Sequence, residues 1–167
     1  MSKLIFLLLF FFITKSNAGN PSQTQVRMLF QEAATDGKSC KNLITLLQGY
    51  NEKNNPLLAG YKASATMMMA NYVFNPFRKL SNFTSGKSLL EKSIEADIGN
   101  IELRLLRFNI QTHAPLFLGY SGSIRKDKAF LINSTSLIRD LKLKQFIIYF
   151  LVNSDFLTSF EKIFLIS

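Results

Sequence analysis

Two arginines three residues apart, Arg104 and Arg107, are the most chemically suggestive feature of this 167-residue chain. At helical periodicity they share an edge with Gln111. That edge runs between an apolar face of Ile101, Leu105 and Phe108 and a second, nearly opposite face of Leu103, Leu106 and Ile110. A helix apolar on two sides is packed on two sides, so the guanidinium groups emerge along a seam between layers. Half-buried arginine needs carboxylate or carbonyl partners. Glu91 and Glu95, on the preceding segment, are the candidates. The chain then passes through His113 into a loop loaded with Leu116, Phe117, Leu118 and Tyr120. If these side chains rim a groove, Arg104, Arg107, His113, Phe117 and Tyr120 form a site for an anionic ligand or peptide. If they tuck into the core, the arginines are structural.

Other chemistries find no support. His113 is the single histidine and Cys40 the single cysteine. That pair supplies neither a Cys/His zinc module nor a disulfide framework. Any Ser or Cys nucleophile would have to draw on His113 or a lysine as base, and nothing beside Cys40 activates it. Gly119 and Gly122 are too closely spaced for a phosphate-binding fingerprint. Met67, Met68 and Met69 read as adaptable core filler, since a soft-metal site wants spaced ligands. No catalytic residue, metal site or cofactor is expected.

The elements that must carry these residues are helices. Residues 23–35 and 40–48 read as the first two, the second with Ser39 as N-cap and Cys40 on its apolar side. Residues 57–74 follow Pro56 and carry one charge, Lys62. Lys62, Ser64, Thr66, Asn71 and the abundance of Ala and Gly argue for a central buried helix, not a membrane span. Gly60 and Ser64, or Ala59 and Ala63, would let a neighbour approach closely. Asn75-Pro76 restarts the chain as a long amphipathic helix over 77–97, its apolar face being Phe77, Leu80, Phe83, Leu90 and Ile94. Asn100 caps a helix over 101–112. Ser123 caps another to about 132, residues 137–152 form the next, and Thr158-Ser159-Phe160-Glu161 is a capping box for a short last one. The expectation is an all-α, single-domain bundle of about seven helices.

Residues 1–18 stand apart. Lys3 precedes the unbroken apolar run 4–13 (LIFLLLFFFI), and Ser16-Asn17-Ala18 supplies the small residues of a cleavage site. This is the pattern of a secretory signal. Ten apolar residues make about 15 Å of helix, half of a roughly 30 Å hydrocarbon core. Cleavage removes Lys3 and Lys15 and no acid, lowering the formal charge from +9 to +7. The remaining basic residues are scattered with no run of five, which indicates solubility and no nucleic-acid partner.

Gly86, Leu90, Ser93 and Ile98, in SGKSLLEKSIEADIGN, resemble the second helix of a tetratricopeptide unit. Asn75-Pro76 interrupts where the family's first helix would run on, and the segment after Asn100 lacks its aromatic and glycine positions. The likeness therefore implies one helical hairpin, not an array. The stretch from YKASATMMMANYVFNPF through GKSLLEKSIEADIGNIELRLLRFNIQ to FLGY is similar to a group of uncharacterised small exported helical proteins of Gram-negative bacteria. That resemblance implies a helical fold and an export route to the periplasm, cell envelope or exterior, and carries no activity or site residue. The resulting expectation is a non-enzymatic scaffold or protein-binding module, with another envelope protein as its expected partner. The alternative is a periplasmic domain for an anionic ligand or polymer.

Overall fold

Side-chain caps start most of this chain's helices, although the Ser123 side chain, read as a cap from sequence, makes no capping hydrogen bond. The computed structural model describes residues 20–166, and the signal segment read over 1–18 lies outside them. Those residues are all-helical, with no strand among them. The helices are α1 (Gln23–Ala33), α2 (Gly37–Leu46), α3 (Pro56–Met68), α4 (Pro76–Ala96), α5 (Ile101–His113), α6 (Ile124–Thr135), α7 (Leu141–Val152) and α8 (Ser159–Ile166). Single 3₁₀ turns occupy Met69–Asn71 and Leu116–Leu118. Eight α-helices thus form among the described residues where about seven were expected. Each of the eight segments read from sequence as helical forms one, so the total of about seven was one short.

Several boundaries differ from the sequence reading, each for a local reason. Asp36, not Ser39, caps α2. Its carboxylate accepts from the amides of Lys38 at 3.2 Å and Ser39 at 2.7 Å, and a negative charge suits a helix N-terminus. The helix expected over 57–74 leaves α geometry at Met68 and tightens into the 3₁₀ turn. Tyr72 just beyond it donates to the Ala33 carbonyl at 2.9 Å, tying that end to α1. Asp140 starts α7 at Leu141, leaving Leu137 in the preceding turn. The capping box forms as read: Thr158 N–H donates to Glu161 Oε2 at 2.8 Å, and Glu161 N–H to Thr158 Oγ1 at 3.2 Å.

The small residues of α3 set the packing. α3 lies among α1, α2, α4 and α5, and Leu58, Ala59, Tyr61, Ala63, Ala65, Met67 and Met68 are all buried. At Gly86 of α4 an added Cβ would lie 2.6 Å from the Ala63 carbonyl oxygen and 2.6 Å from Met67 Cγ. At Gly60 it would meet the Leu103 Cδ2 methyl of α5 at 2.2 Å. The first obstacle is backbone, the second the end of a flexible side chain. Gly86→Ala is therefore expected to cost about 1–3 kcal/mol by forcing α3 and α4 apart. Gly60→Ala should cost less, because Leu103 can yield and alanine regains up to about 1 kcal/mol of helix propensity. Urea unfolding of the two variants checks the order; equal losses would mean that the α3–α4 crossing is not the tight point.

Cys40 lies wholly inside this core. Its thiol donates to the Ala65 carbonyl at 3.1 Å, and burial raises its pKa to about 11. That is a structural thiol, as its position on the apolar side of α2 suggested.

Candidate functional site

Arg104 and Arg107 leave α5 on the edge predicted for them, and both are buried. Their principal partner is Asp127, in the first turn of α6, whose side chain is 0% exposed. Arg107 grips it with two parallel bonds, Nε to Oδ2 at 2.6 Å and Nη2 to Oδ1 at 2.8 Å. Its remaining nitrogen, Nη1, donates to Glu91 Oε2 at 2.7 Å. Arg104 donates from Nη1 to Asp127 Oδ1 at 3.2 Å, and from Nε and Nη2 to the Ile98 carbonyl at 3.3 and 3.1 Å. Tyr120 closes the group, its hydroxyl donating to Glu91 Oε1 at 2.5 Å. Every guanidinium nitrogen therefore has an acceptor within the protein.

Of the two acids proposed from sequence, Glu91 pairs with Arg107, whereas Glu95 is exposed one turn further on. Asp127 went unnoticed because it lies twenty residues further along the chain than Arg107. Its only sequence signal was an acid in the first turn of a helix, where the helix dipole favours it. A second cluster was missed altogether. Glu102 of α5 accepts from Arg27 of α1 (Nη2 to Oε1 2.5 Å, Nε to Oε2 3.1 Å) and from the Tyr61 hydroxyl of α3 at 2.6 Å. α5 thus carries an acid to one side and two bases to the other, pinning α1 and α3 to it there and α4 and α6 here.

Burial, and then the neighbouring carboxylates, hold the hydroxyls of Tyr61 and Tyr120 well above the ordinary tyrosine value of 10.0. A folded-state pKa raised in this way favours the folded protein fully below pH 10.0, and the benefit is lost as pH climbs beyond it. Stability is expected to fall on the alkaline side. Tyr120→Phe removes one of the responsible groups and should flatten that fall, as read from urea midpoints on either side of pH 10.0. An unchanged alkaline slope would contradict the placement of the Tyr120 hydroxyl.

The five candidate ligand residues do not converge. Arg104, Arg107 and Tyr120 belong to the closed network. His113 and Phe117 instead line a cleft of about 480 Å³ between the start of α4, the 3₁₀ turn after α3 and the end of α5. His113 Nδ1 donates to the Asn109 carbonyl at 2.8 Å. The apolar loop splits in the same way. Tyr120 is buried and Leu118 partly so, whereas Leu116 and Phe117 are each 86% exposed. Compared with models of known protein families, with curated proteins and with solved structures, the chain matches none of them.

The cleft exists because α5 is short. α4 has 21 residues and α5 has 13, and only four residues join them. Both helices rise equally per residue, so α5, running back along α4, is spent before it reaches the first two turns of α4. Phe77 and Leu80, read from sequence as members of the buried stripe, are consequently 82% and 54% exposed. Phe83, Leu90 and Ile94 of the same stripe are buried as expected. The floor of the cleft is Met67, Met68, Phe83 and Ile110, all buried side chains of the core.

Among the described residues no group of three or more His, Cys, Asp or Glu side chains could hold a metal ion, and no helix is long and apolar enough to cross a membrane.

Proposed function

We propose that this protein is a non-enzymatic helical binding module exported to the cell envelope, and that the cleft at the start of α4 is its working surface. One observation carries the reading: an apolar cleft of about 480 Å³ opens onto core side chains and is rimmed by exposed Leu80 and Phe117. Small-ligand and anchor sites fall in this size range and are mostly apolar. Exposed large apolar side chains grouped around a concavity mark a binding surface more often than a resting one. Arg104 and Arg107 support the module in the structural role that the sequence left open beside the ligand role, since each of their guanidinium nitrogens donates to an acceptor inside the protein.

Export rests on the apolar run 4–13 and the Ser16-Asn17-Ala18 motif. The tetratricopeptide-like hairpin is retained as a reading of α3 and α4, supported by the glycine at their closest approach. In the scaffold form of this function the cleft receives an apolar side chain or short segment from another envelope protein. The paired variant Leu80→Asp and Phe117→Asp tests it, since both side chains are exposed and the fold should melt unchanged. Affinity capture from the native envelope fraction should lose its stoichiometric companion with this variant. Identical companions for variant and wild type would remove the protein partner from the cleft.

A further inference from the structure

The charge around the cleft is one-sided. Lys79 and His113 are its only ionisable lining residues, and no Asp or Glu lines it. Along α4 the charged residues before Glu91 are Arg78, Lys79 and Lys87, all basic. The loop from 114 to 122 carries no charge at all. Lys79 is exposed and makes no ion pair among the described residues. His113 donates Nδ1–H to the Asn109 carbonyl, so Nε2 of the neutral ring is an acceptor and Lys79 is the donor the rim offers to an anion. Below this rim the floor is hydrocarbon, sulfur and ring. Met67 and Met68 there are unbranched, polarizable side chains that mould to a flexible chain.

An apolar trough with one unpaired cation, Lys79, at its edge and no anion is complementary to a molecule with an alkyl tail and an anionic head. We propose that the cleft binds a free single-chain anionic amphiphile of the long-chain carboxylate class. The tail lies against Met67, Met68, Phe83 and Ile110, and the head group meets Lys79. A bilayer would present many such heads at a flat surface, whereas this site is concave and of small-molecule volume, so a single chain is the better fit. The proposal rests on the cleft being the working surface and goes further by naming what fills it.

Titration calorimetry of the mature protein with dodecanoate, below its micelle concentration, tests this, with 1-dodecanol as the neutral probe of equal tail length. Dodecanoate should bind saturably at one site, and dodecanol about tenfold more weakly for want of a charge-assisted hydrogen bond. Lys79→Glu should lower dodecanoate affinity by at least about tenfold and leave dodecanol unchanged. Equal binding of both probes, or indifference of dodecanoate to Lys79→Glu, would overturn the choice of an anionic head. Binding of neither, or co-sedimentation with phosphatidylglycerol vesicles without binding of monomeric dodecanoate, would overturn the single-chain ligand. If dodecanoate fails while Leu80→Asp with Phe117→Asp still loses an envelope companion, the working surface stands and the amphiphile falls. If dodecanoate binds and the companions do not change, the ligand stands and the protein partner falls.

Discussion

Asp127→Ala is expected to remove a large part of the molecule's stability. The carboxylate it removes is fully buried and holds both nitrogens of the Arg107 fork as well as Arg104 Nη1. Without it two guanidinium groups remain inside, with side chains only 9% and 8% exposed, Arg107 keeping the partly exposed Glu91 and Arg104 the Ile98 carbonyl alone. Breaking a buried pair by deleting one partner costs on the order of 3–5 kcal/mol, because the survivor's charge is left uncompensated. Small domains have about 5–15 kcal/mol in all. Urea unfolding followed by circular dichroism should therefore show a large drop in midpoint or a partly unfolded baseline. Arg104→Ala is expected to cost less, since Arg107 still satisfies the Asp127 carboxylate from two nitrogens. A midpoint for Asp127→Ala close to wild type would mean that the N-terminus of α6 does not hold the position described. The converse arm is informative too. Replacing Arg104, Arg107 and Asp127 together by apolar residues of similar volume is expected to recover much of the loss, because the desolvation of the charges disappears with them.

Glu102→Ala should be comparably damaging through different helices. Glu102 is the shared acceptor of Arg27 and Tyr61, so its loss leaves a buried cation on α1 and an unsatisfied buried hydroxyl on α3. The expected cost is again on the order of 3–5 kcal/mol. Arg27 keeps two weaker contacts, Gln23 Oε1 at 3.4 Å and Asp140 Oδ2 at 3.7 Å, the latter half-exposed and unable to replace a bidentate partner. The decisive measurement is a double-mutant cycle. Arg27→Ala and Glu102→Ala together should cost little more than Glu102→Ala alone, because the second change removes the charge that the first had stranded. Strictly additive losses would show that the two side chains do not share an energetic unit.

Much of the helix inventory was legible because caps are local. Asn75, Asn100 and Thr158 act within three residues of themselves, and Pro56 and Pro76 need only the chain that carries them. Ser39 was misread for the same reason in reverse. Asp36 and Ser39 are both competent caps three residues apart, and the winner is the one whose carboxylate accepts two amides. The double-sided character of α5 was also legible, since Leu103 and Leu106 on one face and Leu105 and Phe108 on the other are all buried. Periodicity failed at Phe77 and Leu80. It reports which side of a helix is apolar, but not whether a neighbour is long enough to cover it.

The sequence by itself determined an all-helical chain, the small-residue face of α3, the inert burial of Cys40 and the placing of Arg104 and Arg107 on one buried edge. Each follows from spacing within one element or from composition across a few turns. Only the tertiary structure decided what those arginines meet. Asp127 and Glu102 reach their partners across 20 and 75 residues of chain, and no local pattern encodes such a pairing. The cleft likewise belongs to no single segment. It is the space left when a 13-residue helix folds back along a 21-residue one, so its lining side chains come from α3, α4, α5 and the turn after it. Helix lengths were written in the sequence, but the unfilled volume between them is a property of their packing.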